Sequence, residues 1–161
     1  SYSLIKGISL SKYDKIVTLD GDGQNNPADI PKLLKKYTEG NYFLVGGLRL
    51  KRKDSNLKKF SSKLANKIRN IILKDDCIDT GCSLKVFSKK VFIKFPEFNG
   101  IHRFLPALFR GFGYKAKFLE VDHRHRVFGN SKYGTIDRLI KGVIDLLRVY
   151  LIIKNLKKNV K

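Results

Sequence analysis

Residues Lys15 to Leu19 read Lys-Ile-Val-Thr-Leu, a short β-branched run that passes without a break into Asp20-Gly21-Asp22-Gly23-Gln24. No other stretch constrains the fold as strongly. The β-branched run predicts a strand. After the acidic loop, Pro27 precedes a segment in which Ile30, Leu33, Leu34 and Tyr37 fall at helical spacing, and Glu39-Gly40-Asn41 ends it. Tyr42 to Gly47 predicts a second strand. Strand, helix, strand is the repeating unit of a parallel α/β sheet. The acidic loop is therefore expected at the carboxyl end of a strand, where open α/β sheets bind ligands.

The remaining pattern continues in the same style. A helix is predicted from about Ser55 to Leu73, with Leu57, Phe60, Leu64, Ile68 and Ile71 as its apolar face. Asp79-Thr80-Gly81-Cys82-Ser83 reads as a polar turn, and Leu84 to Phe87 as a short alternating strand. His102 to Arg110 predicts a helix ended by Gly111 and Gly113, and Tyr114 to Val121 an alternating strand. A last helix is expected from about Ile136 to Leu156. With 161 residues there is material for one ordinary domain with a core. The chain starts at Ser1 and has no methionine, so it is expected to be a piece of a longer protein.

Charge narrows the partners. Thirty-four basic and 14 acidic side chains give a net charge of +20, which draws polyanions such as nucleic acid, anionic lipid or phosphorylated substrates. A generally lysine-rich composition accounts for the same figure without any partner. Nucleic-acid reading would rest on charge alone, because no RNA- or DNA-binding signature is present. Cys77 and Cys82 lack a zinc-ligand spacing and any second pair; they are expected to be reduced and partly buried. No apolar run reaches the roughly 18–20 residues of a membrane span, and no signal peptide is visible.

Chemistry concentrates in a few places. Asp20 and Asp22, separated by one glycine, can point toward a single cation, and Mg²⁺ and Mn²⁺ prefer such oxygen ligands together with phosphate and water. Gln24 could hold a metal-bound water or supply its amide oxygen. An ordinary Asp-Gly turn is the competing explanation. An EF-hand does not fit, because its twelfth position falls on Pro31. Asp79 is a candidate for placing an acceptor, or a simple turn cap. Arg49 and Arg103 are candidate phosphate ligands or surface charges. In His123-Arg124-His125-Arg126 the two arginines share one face; the run is either a phosphate clamp or a solvated strand end.

The stretch Ile16 to Ile30, with Asp20-Gly21-Asp22-Gly23-Gln24 and Pro27, resembles the Asp-x-Asp-x-Gln segment of family 2 glycosyltransferases. The narrower similarity is to dolichyl-phosphate mannose synthases and bacterial polyprenyl-phosphate relatives. Four further segments agree in order: Gly46-Gly47-Leu48-Arg49; Asp79 to Phe87; His102-Arg103-Phe104-Leu105-Pro106; and His125 to Tyr133, which holds the specific Arg-x-x-Gly-x-Ser-Lys-Tyr. Together they span roughly residues 5–150. The family's earlier base-binding strands have no counterpart here, and Lys85 stands where the family has arginine.

The resemblance implies a partial GT-A, Rossmann-like α/β domain with a mixed sheet over residues 1–135. Residues 136–161 would be a basic amphipathic helix beside a membrane. It implies metal-dependent, inverting transfer of a hexose, such as mannose or glucose, from a nucleotide-sugar donor to a polyprenyl phosphate. Asp20, Asp22 and Gln24 would serve Mg²⁺ or Mn²⁺ and the donor diphosphate. Arg126, Ser131 and Lys132 would hold phosphates, with Arg49 and Arg103 beside them, and Asp79 would act in catalysis. An anionic membrane surface is the expected partner, at the cytoplasmic face, and a homo-oligomer stays open. Transfer to a polysaccharide or glycolipid acceptor, or a non-catalytic fragment, are the alternatives.

Overall fold

The structure is a computed structural model that describes residues 2–50, 56–124 and 135–159, with side chains described over 2–50, 63–124 and 141–156. Four strands form one sheet: β1 (Lys15–Thr18), β2 (Leu44–Leu48), β3 (Lys85–Ser88) and β4 (Ala116–Glu120), in the order β1-β3-β2-β4. Strand β3 runs antiparallel to both β1 and β2, pairing Thr18 with Lys85 and Val45 with Val86, while β2 and β4 run parallel. The β1–helix–β2 unit is present, but its two strands are not neighbours. They lie parallel to each other with β3 inserted between them, so the sheet is mixed.

Six α-helices surround the sheet among the described residues: α1 (Tyr2–Leu10), α2 (Ile30–Glu39), α3 (Asn56–Leu73), α4 (Lys89–Phe92), α5 (Leu105–Gly111) and α6 (Thr135–Asn159). A 3-10 turn, Pro27–Asp29, leads into α2, with the Asn26 side chain capping it by accepting from Ala28 N–H. Helix α1 lies in a stretch for which the sequence pattern predicts no element. Of its apolar residues, Ile8 is buried and Leu4 and Ile5 pack partly against the core, while Tyr2 and Leu10 are exposed.

Alternation along the strands divides the core in two. Ile16, Leu44 and Phe87 face a cluster built with α1, α4, α5 and α6, in which Phe87, Phe92, Phe95, Phe109 and Phe112 meet at ring-centroid distances of 4.9 to 6.3 Å. Val45 and Val86 face the other way, onto Leu33 of α2 and onto Cys82, Leu84 and Val121. Strand β3 is covered on both faces, so all four of its residues are buried. The alternation expected for it is absent for that reason.

Helix α3 forms where its spacing predicts, and its apolar stripe is largely uncovered among the described residues. Leu64, Ile68 and Ile71, read as its apolar face, are 50%, 47% and 66% exposed; Leu57 and Phe60 fall outside the described side chains. Arg69 and Leu73 face inward instead, and Arg69 is paired with the fully buried Asp75. Helical spacing reports that an apolar stripe exists and leaves open what covers it.

Candidate active site at one end of the sheet

Topology alone gathers the chemistry. Strands β1, β2 and β4 run in one direction, so the acidic loop after β1, Arg49 after β2 and Asp122 to Arg124 after β4 emerge at the same end of the sheet. Strand β3 runs the other way, so the turn that precedes it, Asp79 to Leu84, arrives at that end as well. Sequence separations of 30 to 100 residues thus collapse into one locality.

Asp79 and Arg49, expected as separate site residues, form one unit. The Arg49 guanidinium makes a two-pronged ion pair, Nε to Oδ2 at 2.8 Å and Nη2 to Oδ1 at 2.9 Å, and the Arg49 backbone N–H also donates to Oδ2 at 3.1 Å. The planar fork suits such a carboxylate. Both side chains are largely buried, at 15% and 9% exposure. Arg49 Nη1 approaches Nε2 of the buried His123 at 3.5 Å. Glycine leaves room where the turn meets this pair: a Cβ on Gly81 would lie 2.7 Å from Arg49 Nη2, so the guanidinium would have to shift. Likewise a Cβ on Gly47 would lie 2.7 Å from a Val121 methyl and 2.9 Å from Cys82 Sγ.

Beneath the turn lies Lys85. Its ammonium donates to the carbonyl oxygens of Cys82 and, at 3.4 Å, Thr80. Burial lowers the Lys85 pKa, with the neighbouring thiols of Cys82 and Cys77 acting in the opposite sense. Those cysteines are free and buried, more completely than the sequence suggests. Burial pushes the Cys77 thiol up to about 11 and raises Cys82 as well, so both stay protonated and unreactive near neutral pH.

The acidic loop is exposed at Asp20 and partly buried at Asp22 and Gln24. Asp22 Oδ1 accepts the Gln24 N–H at 3.1 Å, an Asx turn within the loop. Among the described residues the Asp20 carboxylate makes no hydrogen bond or ion pair, in a chain of net charge +20. Two carboxylates and an amide oxygen are a hard donor set that fits Mg²⁺ or Mn²⁺. No group of three His, Cys, Asp or Glu side chains able to hold a metal exists among the described residues. The remaining ligands of a cation here would come from phosphate and water.

The far side of the loop is pinned to the residues after β4. Asn25 and His123 form a β-bridge, the Arg124 N–H donates to the Gln24 carbonyl at 2.9 Å, and Arg124 Nη2 donates to Asn26 Oδ1 at 2.7 Å. Residues 122–124 therefore run beside the acidic loop. Arg126, Ser131 and Lys132 lie outside the described residues. Arg103 sits apart from the Arg49–Asp79 pair: it donates to Asp145 of α6 at 2.7 Å. His102 beside it is exposed as a residue, yet desolvation of its ring and the Arg103 cation lower it to about 4, while Asp20 acts the other way. Asn25 and Ser83, which join the loop to the Asp79 turn, carry no signal in sequence spacing, because they meet across 58 residues.

Comparison with known proteins agrees with this geometry. Glycosyl transferase family 2 matches residues 1–95. An undecaprenyl-phosphate 4-deoxy-4-formamido-L-arabinose transferase of Shewanella sediminis (strain HAW-EB3) is 37% identical over 145 residues, covering 90% of this chain and 43% of that protein. Proteins of the same name from Klebsiella pneumoniae (strain 342) and Enterobacter sp. (strain 638) are 34% and 35% identical, each covering 90% of this chain and 44% of theirs. The chain thus spans less than half the length of the curated relatives it matches. Its mixed four-stranded sheet is that of a partial GT-A domain. On the matched residues and these identities, the chain belongs to glycosyl transferase family 2.

Proposed function

We propose that the protein transfers a sugar from a nucleotide-sugar donor to a polyprenyl phosphate, with inversion at the anomeric carbon. One observation carries the reading: the acidic loop and the Arg49–Asp79 pair stand together at one sheet end, in a chain whose relatives are named for transfer to undecaprenyl phosphate. An acceptor phosphate oxygen forms the new bond to the anomeric carbon as the bond to the donor diphosphate breaks. Asp20, Asp22 and Gln24 would hold Mg²⁺ or Mn²⁺, which when bound neutralises charge building on the departing diphosphate.

The chain's own residues prepare both sides of that displacement. A phosphate acceptor is already anionic near neutral pH, so no strong base is needed. Asp79, with its carboxylate taken up by Arg49, suits orientation better than deprotonation. Arg126, Ser131 and Lys132 are assigned to phosphates. Arg49, oriented by Asp79, would stand beside the acidic loop as a further phosphate ligand, and Arg103, held apart from that pair by Asp145 of α6, would contact a phosphate from outside it.

A lipid-linked acceptor must be met at a bilayer, and we place the protein at the cytoplasmic face of a membrane, as a domain (residues 1–135) followed by a helix (residues 136–161) along the surface. No helix among the described residues is long and apolar enough to cross a membrane. Support for surface contact comes from the exposed apolar residues of α6 and α3, flanked by exposed Lys63, Lys67, Lys141, Arg148 and Lys154. The test is a donor and acceptor panel on the full-length protein. Nucleotide-activated 4-deoxy-4-formamido-L-arabinose and nucleotide hexoses are offered with undecaprenyl phosphate, dolichyl phosphate and soluble glycans. A sugar-phosphate-prenol product is expected, and its sugar identifies the donor; transfer to glycans alone contradicts the proposal.

A further inference from the structure

Between the two halves of the site stands Ser83, and it holds both ends of the acidic loop at once. Its hydroxyl oxygen accepts the Asp20 backbone N–H at 3.0 Å and the Asn25 side-chain N–H at 2.7 Å. Its carbonyl accepts the Thr18 hydroxyl at 2.8 Å, two residues before Lys85, which pairs with Thr18 at the end of the β1–β3 register. Asp20 and Asn25 bound the loop that carries Asp22 and Gln24. Asn25 is 6% exposed and is fixed in turn by its bridge to His123.

Such a clamp has a physical task. The loop contains Gly21 and Gly23, and Gly23 has φ of 75°, so its backbone has much freedom to lose on ordering. Asp20 and Asp22 carry like charges that repel and favour a splayed loop. A hydroxyl oxygen has two lone pairs, and both are taken here, one from each end of the loop. Ordering is thereby carried by the fold before any ligand arrives, which is how ligands of a cation are kept at a fixed spacing.

We propose that Ser83, acting with Asn25, is a positioning residue for the acidic loop and sets how tightly a divalent cation binds there. This rests on the reading of Asp20 and Asp22 as cation ligands. Ser83 need not touch the cation or either substrate; it acts through the Asp20 backbone and Asn25.

The test uses the full-length protein and Mn²⁺ alone, with free Mn²⁺ followed by electron paramagnetic resonance and no sugar nucleotide present. Ser83→Ala is expected to weaken Mn²⁺ binding about tenfold, as loss of a supporting partner generally does. Ser83→Thr, which keeps the hydroxyl, is expected to bind within about twofold of the parent protein by the same reasoning. A residue that merely supported the fold would lower the melting temperature of Ser83→Ala and leave the Mn²⁺ affinity of the folded protein unchanged; that result overturns the proposal. Asp20→Asn is the control for the underlying reading. If it loses Mn²⁺ while Ser83→Ala binds normally, only the role of Ser83 falls. If Asp20→Asn itself binds Mn²⁺ normally, the cation reading falls and the proposal with it. Should Ser83→Ala fail to fold, Asn25→Ala replaces it, since it removes one of the two donors and leaves the serine in place; unchanged Mn²⁺ affinity there is equally fatal.

Discussion

The site end of the sheet and the outward faces of α3 and α6 depart from the usual inside-outside arrangement in opposite directions. At the site, Asn25, Asp79, Lys85 and His123 are polar and yet only 4–8% exposed. On the two helices, Leu64, Ile68, Ile71, Val143, Ile144, Leu147 and Leu151 are apolar and yet 47–66% exposed. Burying polar groups is tolerable only when they are paired, and the site pairs them closely: Asp79 with Arg49, Asn25 with Ser83, Lys85 with the carbonyls of its own turn. Leaving apolar area in water forgoes roughly 25 cal/mol per Å². The first region holds its polar groups by internal pairing, and the second leaves apolar area uncovered among the described residues; the proposed function would put a charged ligand at the first and a bilayer surface at the second.

The largest effect is expected where the buried pairing is broken. Asp79→Ala leaves the Arg49 guanidinium buried without its carboxylate, and urea denaturation should show a loss of about 3–5 kcal/mol. A loss under 1 kcal/mol would mean that water reaches the pair and that the site is open. Gly81→Ala comes next. Its new Cβ would press on the Arg49 guanidinium, and overpacking of this kind costs about 1–3 kcal/mol, read in the same experiment.

Charges placed on the exposed face of α3 test whether its apolar side chains meet a bilayer. Ile68→Asp with Ile71→Asp is expected to change stability by no more than about 0.5 kcal/mol, because neither side chain is in the core. The same double variant should weaken binding to vesicles of phosphatidylglycerol and phosphatidylethanolamine about tenfold, through lost apolar contact and added anionic charge. A large stability loss with unchanged vesicle binding would assign that face to protein packing. The smallest effect belongs to the exposed Lys35–Glu39 pair on α2, 3.9 Å apart with side chains 75% and 61% exposed. Glu39→Gln should cost no more than a few tenths of a kcal/mol, about 0.3–0.5 at most, and should leave transfer unchanged.

Much of this fold can be read in the sequence because its signals are local. The β1 strand, the acidic loop and α2 follow from β-branching, glycine punctuation and helical spacing within 25 residues. What escapes is long-range. Nothing near Ile16 or Leu44 says that β3 will insert between them antiparallel, since that pairing joins residues some 40 to 70 apart. For α3 the stripe is legible and its cover is not. At the site, Asp20, Asp22, Arg49 and Asp79 are identifiable by residue type and motif, but the joining of Arg49 to Asp79 is a tertiary fact, and so is the clamp that Ser83 places on the acidic loop. Arg103 stands out as a basic residue in a motif, while its tie to Asp145 is visible only once α6 is packed.

Asp20 and Asp22 are proposed as the working edge of a glycosyl-transfer site. The most direct test is the rate of labelled sugar transfer to undecaprenyl phosphate by the full-length protein and by its Asp20→Ala and Asp22→Ala variants, in Mn²⁺ and in excess chelator. A loss of at least about a hundredfold is expected in each variant, the scale on which removing charge stabilisation from a transition state is felt, with a comparable loss in chelator. Transfer by both variants at the parent rate, unaffected by chelator, would contradict it.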